Sequence, residues 1–285
     1  MSGVWVLGSV TWDWVVRVDS LPAHGYSTNG VSRGGRPGGG AANVARALAS
    51  AGLDVHFVGI VGRDRIGDAL VNDLKWWGVD VSHVQRSASG NARTIVLIDG
   101  MGEKSIVALD SIQFKLDRIP VEDVRTADAV FFDGYHPELA FLVRDLSSRV
   151  PLIVSGMPHS QASPWPVNVV VGSRFDYPPA WHRYLHSRVS SFLGHPPDVV
   201  LMTRGSRGAV AFLPDRKVSV PSTRVRQVDT TGAGDSFAAG VLYAMIKRYD
   251  MNDVLKLGVK WGASTVTVDS STPVNFNPRL LSEFG

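Results

Sequence analysis

The stretch Asp229-Thr230-Thr231-Gly232-Ala233-Gly234-Asp235-Ser236-Phe237 decides how this chain reads. Three small residues stand just ahead of Phe237, Val241, Ala244 and Met245, which are spaced as the buried face of a helix. A helix start leaves backbone N–H groups without partners and carries partial positive charge. Gly232, Ala233 and Gly234 have almost no side chain, so those N–H groups can close on an anion. Asp235 then falls in the first turn, where the helix dipole favours its ionised form. A carboxylate beside an anion hole gives a hydroxyl nucleophile a proton acceptor on one side and charge neutralisation on the other. Gly-x-Gly-Asp alone would also fit ordinary helix capping. The full nine-residue run is far more specific.

The 285 residues are 44% hydrophobic, enough for a sizeable core in one large α/β domain or two smaller ones. There is no cysteine, which excludes disulfides, thiolate nucleophiles and Cys-based zinc sites and is compatible with a reducing cytoplasm. Met1 to Val10 is a short apolar run without a basic leader and reads as a first strand, not a signal peptide. No apolar stretch approaches the roughly 20 residues of a membrane span. Lys and Arg number 29 against 26 Asp and Glu, for a net charge of +3. The basic residues are scattered, which points away from nucleic acid.

Apolar runs at Val4–Leu7, Val55–Val61, Ala129–Phe132, Leu152–Val154, Val169–Val171 and Val199–Met202 are short, β-branched and apolar on both faces. Such strands belong to parallel sheets covered by helices. Helical patterns alternate with them at Ala41–Ala51, Ile66–Trp77, Pro137–Arg149, Trp181–Leu193, Gly232–Arg248 and Asn252–Val268. The alternation predicts a three-layer, doubly wound α/β fold. Two segments break it. One is Trp12–Val18 with the Tyr26–Val31 region; the other is a hairpin of Thr94–Ile98 and Lys104–Leu109 around Asp99-Gly100-Met101-Gly102-Glu103. Edge hairpins would satisfy the pattern, but their position favours a small β lid, inserted at about 12–33 and 92–110 of a single domain spanning 1–285.

The run Gly34-Gly35-Arg36-Pro37-Gly38-Gly39-Gly40-Ala41-Ala42-Asn43 leads into the first helix. Its glycines let backbone approach a polyol, and Asn43 offers both a donor and an acceptor. Gly38-Gly39-Gly40-Ala41-Ala42-Asn43 is followed by Ala51-Gly52-Leu53 and by Val58-Gly59-Ile60-Val61-Gly62-Arg63-Asp64-Arg65-Ile66-Gly67. Together these resemble the first signature of the ribokinase-like (PfkB) family of carbohydrate and nucleoside kinases. The Asp229–Phe237 run resembles its second. Leu7-Gly8-Ser9-Val10-Thr11-Trp12-Asp13 is similar to the family's first strand and substrate Asp, and Met202-Thr203-Arg204-Gly205-Ser206-Arg207-Gly208 to its nucleotide-binding turn. The motifs stand in family order over nearly the whole chain.

The resemblance implies ATP-dependent phosphorylation of a primary hydroxyl, often on a sugar, and a small β lid that often forms a dimer interface; a homodimer through the lid is expected, and the cytoplasm is the expected compartment. Carried over, Asp235 is the catalytic base and Gly232, Ala233 and Gly234 form the anion hole. Asp13, Gly39, Gly40 and Asn43 match the sugar site. Thr203, Gly205 and Gly208 match the ATP turn. Asp229 and Thr231 match positions that bind a monovalent cation, K⁺, in many members. Mg²⁺ is expected with the nucleotide, mostly through phosphate oxygens and water.

Some positions depart from the pattern. Thr11 stands where members acting on ribose carry Asn, and Gly40 where they carry Lys, which argues against ribose itself. The family's Asn-x-x-Glu motif should fall near Val169–Asp176, where Ser173 and Asp176 are the nearest equivalents. Arg93 opens a lid strand and suits an anionic substrate, though a solvated Arg fits as well. Trp12 and Trp14 flank Asp13 and alternate to the other face, where core or interface packing suits them. Tyr135 and His136 follow a strand end, a position suited to ligand. A nucleoside kinase, a kinase of keto-acid sugars using Arg93, and a catalytically silent binder remain as alternatives; the retained Asp235 speaks against the last. No Gly-x-Gly-x-x-Gly follows the first strand, no Gly-Lys-Ser/Thr run exists, and no paired His motif suggests zinc.

Overall fold

Val4 and Val6 face one side of the first strand, Trp5 and Leu7 the other, and all four are buried. A strand covered on both faces needs layers above and below it, and the computed structural model supplies them. It describes residues 3–109, 118–158 and 164–268. Met1, residue 110 at the predicted end of the second insertion, and residues 269–285 lie outside the described residues.

In chain order the strands are β1 (Val4–Leu7), β2 (Thr11–Val18), β3 (Gly30–Gly38), β4 (Val55–Val58), β5 (Ile60–Gly62), β6 (Gln85–Ser87), β7 (Ala92–Ile98) and β8 (Lys104–Ala108). They continue with β9 (Ala129–Phe132), β10 (Ile153–Gly156), β11 (Val169–Ser173), β12 (Val199–Thr203), β13 (Ala209–Phe212) and β14 (Lys217–Val220). The helices are α1 (Gly40–Ser50), α2 (Arg65–Trp76), α3 (Val121–Val124), α4 (Ala140–Leu146), α5 (Leu185–Leu193), α6 (Ala233–Ile246) and α7 (Met251–Thr265).

The main sheet has the order β14-β13-β12-β11-β10-β9-β1-β4. It is parallel from β4 to β12, and β13 and β14 close it as an antiparallel edge. One face packs against α1, α2, α6 and α7, the other against α4 and α5. The expected three-layer α/β architecture is therefore present. Helix α6 is apolar nearly all round because it is buried between the sheet and its helical neighbours. Its Gly240 meets Gly258 of α7 so closely that an added Cβ would stand 3.0 Å from the Gly258 Cα. Asp64 caps α2 by accepting from the Gly67 N–H at 2.8 Å, and Asp250 caps α7 through the Asp253 N–H at 2.9 Å.

Trp12–Val18 and the second hairpin join one separate sheet, β3-β2-β7-β8, but its β3 runs over Gly30–Gly38, so only the last two residues of the Tyr26–Val31 region belong to it. Val15, Val96 and Ile98 are its small core.

The structure redraws several boundaries. The apolar run 55–61 splits at Gly59, where an added Cβ would lie 2.4 Å from the Phe57 ring; β4 joins the main sheet and β5 pairs with β6. The candidates Pro137–Arg149 and Trp181–Leu193 each begin in a proline-led 3₁₀ turn, and only 140–146 and 185–193 are α-helical. Gly34–Gly38 is the paired end of β3, so its backbone is engaged in a ladder with β2.

Candidate active site

The chain leaves β1 to reach β4 on one side and later adds β9 on the other. In an open α/β sheet the crevice at such a reversal, at the carboxyl ends of the strands, is where ligands fit. Here Ser9 follows β1 and Asp133 follows β9. Asp133 Oδ2 accepts from the Ser9 N–H at 2.7 Å and the Ser9 hydroxyl at 2.5 Å, and its Oδ1 pairs with His136 Nε2 at 2.9 Å. Burial alone would push the Asp133 carboxyl up, but His136 and Ser9 outweigh it and hold it low. Burial would likewise pull the His136 imidazole down, and Asp133 raises it above its ordinary value. The Ser9 hydroxyl oxygen also accepts the Gly40 N–H at 3.1 Å, which ties the crevice to the start of α1.

Helices α1 and α6 bring the two sequence motifs together. Asn43 donates its amide N–H to Asp235 Oδ2 at 2.7 Å. The amide is oriented from behind: Arg46 Nη1 donates to Asn43 Oδ1 at 2.6 Å, and Arg46 Nε to Asp73 Oδ2 of α2 at 2.6 Å. Asp235 keeps some solvent contact as a residue, while its carboxyl is set within the protein. Burial raises that carboxyl; Lys104 and Asn43 pull it back, and the nearby charges of Asp133 and Asp13 push it up again, leaving it above the ordinary value. A Cβ added to Gly40 would stand 3.5 Å from both Asp235 Oδ1 and Asp133 Cβ, so Gly40 lies between the two acids. Gly232 opens α6 at φ 77°, and no side chain caps the helix. The Ala233 N–H reaches the Thr230 carbonyl at 3.3 Å, whereas the space before Gly234 is open.

The second sheet contributes Asp13. Its Oδ1 accepts from Thr11 Oγ1 at 2.6 Å and from Thr94 Oγ1. Gly38 lies so close that a Cβ there would fall 1.9 Å from Asp13 Oδ2. Gly39 has φ 100° and packs on the Ser9 carbonyl. Arg36 is the register partner of Asp13 across β3 and β2, and its Nη2 donates to Asp229 Oδ2 at 2.7 Å. Asp229 Oδ1 accepts the Thr231 N–H at 2.8 Å. Burial pushes the Asp229 carboxyl up, and Thr231 and Arg36 together hold it below the ordinary value. Arg93 is not brought into this cluster. It is exposed and pairs in register with Trp12, on the opposite side of β7 from Thr94.

The remaining residues line the ends of β11 and β12. Ser173 and Thr203 are register partners there. The Ser173 N–H donates to Asp176 Oδ2 at 2.6 Å, so these two stabilise their own turn. Gly205 has φ 57° and Gly208 φ 81°, and a Cβ on Gly208 would fall 2.0 Å from the Val220 carbonyl oxygen. Both glycines are thus demanded by the turn itself.

Asp133, Thr94, Lys104 and Arg36 are among the residues of this constellation that carry no role in the sequence reading. An acid at the end of an apolar strand was a usable signal for Asp133. The others depend on strand register.

The model of the pfkB family carbohydrate kinases matches residues 1–149 and 186–276. The chain is 30% identical over 266 residues to the ATP-dependent ribose-1-phosphate kinase of Halopiger xanaduensis, covering 90% of each chain. It is 29% identical over 268 residues to the ribokinase of Bacillus subtilis, again covering 90% of each. The ribokinase structure from Giardia lamblia superposes with a TM-score of 0.85 at 18% identity, covering 100% of this chain and 99% of that one. Motifs and family match agree over most of the sequence, and the chain belongs to the pfkB family of carbohydrate kinases.

Proposed function

We propose that this kinase moves the terminal phosphoryl group of ATP onto a primary hydroxyl of a sugar or sugar-like acceptor, with Asp235 as the base. The observation that carries the reading is the meeting of Asp235, Asn43 and Gly40 in one crevice beside an uncapped helix start. The acceptor hydroxyl lies against Asp235. Its other hydroxyls bind Asp13, Asn43 and the backbone at Gly39 and Gly40. The γ-phosphate faces the amides at Gly232, Ala233 and Gly234, and the nucleotide extends along Ser173, Thr203, Gly205 and Gly208. As the phosphoryl group moves in line, Asp235 takes the proton of the attacking oxygen. Its raised carboxyl makes it a stronger base than an exposed Asp.

Mg²⁺ enters with the triphosphate, whose charge it would neutralise. Its ligands would come chiefly from phosphate oxygens and water; among the described residues no group of three or more His, Asp or Glu stands together. Arg93 is omitted from the acceptor site because of its orientation on β7.

In this reading the second sheet is a lid inserted in a single domain, and its closure excludes water from the transfer. Trp14, Val31, Ile106 and Val107 are exposed apolar residues of that sheet, which supports a homodimer joined through it. No helix among the described residues is long and apolar enough to cross a membrane, and the cytoplasm is the proposed compartment.

The test is acceptor-dependent ADP release across pentoses, ketohexoses, keto-acid sugars, sugar phosphates and nucleosides. A sugar that turns over identifies the acceptor; turnover with nucleosides alone would replace the sugar reading. If nothing in the panel releases ADP, a silent binder becomes the better account. Sedimentation of the pure protein decides between monomer and dimer.

A further inference from the structure

Asp229 stands six residues before the proposed base, and its side chain is 0% exposed. Each of its oxygens already accepts a hydrogen bond, Oδ2 from Arg36 Nη2 at 2.7 Å and Oδ1 from the Thr231 N–H at 2.8 Å, so the guanidinium charge lies directly against the carboxylate. A monovalent cation at this carboxylate would have to displace the guanidinium or sit against it, and like charges at that separation repel. The residues present therefore do not fit a K⁺ site at Asp229. They fit a cation that is part of the chain. Guanidinium is always charged, is weakly hydrated, and suits a buried carboxylate better than an ion that must shed water.

The surroundings show what this pairing holds. The Val228 N–H donates to the Val266 carbonyl at 2.7 Å, which anchors the segment to the end of α7. On its other side, Thr230 Oγ1 donates to the Gly102 carbonyl at 3.2 Å and Gln227 Nε2 to the Met101 carbonyl at 3.4 Å. Those carbonyls belong to the β7–β8 turn. Residues 227–231 are thus fastened to the second sheet at that turn and, through Arg36, at β3. The chain then enters Gly232–Gly234 directly. Arg36 also faces Asp13 across the β2–β3 ladder, so one pair of strands touches both the Asp13 cluster and the segment that shapes the helix start.

We infer that Arg36 serves as a built-in monovalent cation at Asp229, ordering the Gly232–Gly234 amides and making this kinase independent of K⁺. The amide cradle is the one assigned above, and that half of the inference rests on the proposed function. The independence from K⁺ does not.

Melting of the unliganded wild-type protein in equal concentrations of KCl and choline chloride tests the second half without any nucleotide. The expected result is the same Tm in both salts. A Tm raised specifically by K⁺ would mean that an ion binds the native state and would overturn the inference. Calorimetric binding of a non-hydrolysable ATP analogue tests the first half. Wild type should bind equally in the two salts. Arg36→Gln should bind in choline more weakly by roughly tenfold or more, the usual consequence of leaving a buried charge without its partner. KCl should restore part of that loss, because the vacated carboxylate then admits the ion. Arg36→Gln that binds as tightly as wild type in choline would overturn the ordering role. If that variant does not fold, Arg36→Lys, which keeps the charge and loses the fork, takes its place with the same expectation at smaller size. Failure of wild type to bind the analogue at all would count against the proposed function, while the melting comparison would still decide the question of K⁺.

Discussion

Replacing Asp235 with Asn should move activity and stability in opposite directions. The substitution removes the proposed proton acceptor and keeps the shape. The introduced amide oxygen can still accept the Asn43 N–H that now reaches Asp235 Oδ2 at 2.7 Å, so the fold has no reason to rearrange. Loss of a positioned general base lowers turnover by roughly 10²–10⁴, which is a barrier increase of about 3–5 kcal/mol. Stability behaves otherwise. Burial raises the Asp235 carboxyl in the folded state. A carboxyl with a raised folded pKa contributes stability below its unfolded value, 3.8, and loses it as pH rises through the folded value. At neutral pH the ionised side chain therefore weighs against folding, by about 1.4 kcal/mol per unit of upward shift. The neutral amide removes that penalty. Each kcal/mol recovered raises Tm by about 2–4 °C in a chain of this size class. The assay pairs kcat from ADP release with melting curves at pH 7 and near pH 4. The variant should melt at or above wild type at pH 7, and the difference should fade toward pH 4. Near-normal turnover would refute the base assignment. A variant destabilised equally at both pH values would refute the account of a buried, raised carboxyl.

Gly40→Ala should leave the fold intact or slightly more stable, because its methyl would meet Asp235 and Asp133 only at 3.5 Å and alanine favours helix by about 1 kcal/mol; the acceptor KM should nevertheless rise severalfold, since the methyl occupies the space between the two acids. Gly39→Ala, one residue earlier, should instead lower stability by about 2 kcal/mol or more, because φ is 100° and a Cβ would fall 2.5 Å from the Ser9 carbonyl oxygen; denaturant unfolding separates the two. The Asp133–His136 pair should stabilise the fold chiefly between the unfolded values of 3.8 and 6.5. Asp133, held low, loses its contribution as pH falls through its folded value, and His136, held high, loses its own as pH rises through its folded value. The Tm difference between wild type and His136→Ala should therefore peak in that window and shrink above it; a difference that does not vary with pH would show packing alone. The kcat/KM profile should show an acid limb above the ordinary Asp range, from Asp235, and Asp235→Asn should abolish it.

What could be read from the sequence and what could not divide along the reach of local geometry. The parallel strands of the main sheet announce themselves because both faces of each are buried by the same two layers, so Val4 to Leu7 or Val199 to Met202 need no partner to be recognised, whereas the antiparallel edge strands β13 and the half-exposed β14 carry no such signal in the sequence reading. Asp235 and its glycines are legible for the same reason: a helix start, its dipole and its first turn lie within nine consecutive residues. The second sheet is different, because its contribution depends on which residues face inward, and that is set by register. Arg93 and Thr94 are neighbours, and in the sequence the charged, longer side chain looks the better ligand. Pairing of Asp13 with Thr94 turns the hydroxyl inward and leaves the guanidinium on the other side. Arg36 stands within a glycine-rich run that gives it no signal of its own, since its partner Asp229 lies 193 residues away. Ser9 and Asp133, 124 residues apart, meet only because β1 and β9 are adjacent. The glycines of the Thr203–Gly208 turn carry the opposite lesson. Their presence follows from positive φ and a tight approach to Val220, so the motif would be needed by this turn whether or not a nucleotide ever touched it. Glycines there report backbone shape. The case for phosphoryl transfer rests instead on Asp235 and Asn43, whose contact no requirement of the helices α1 and α6 explains.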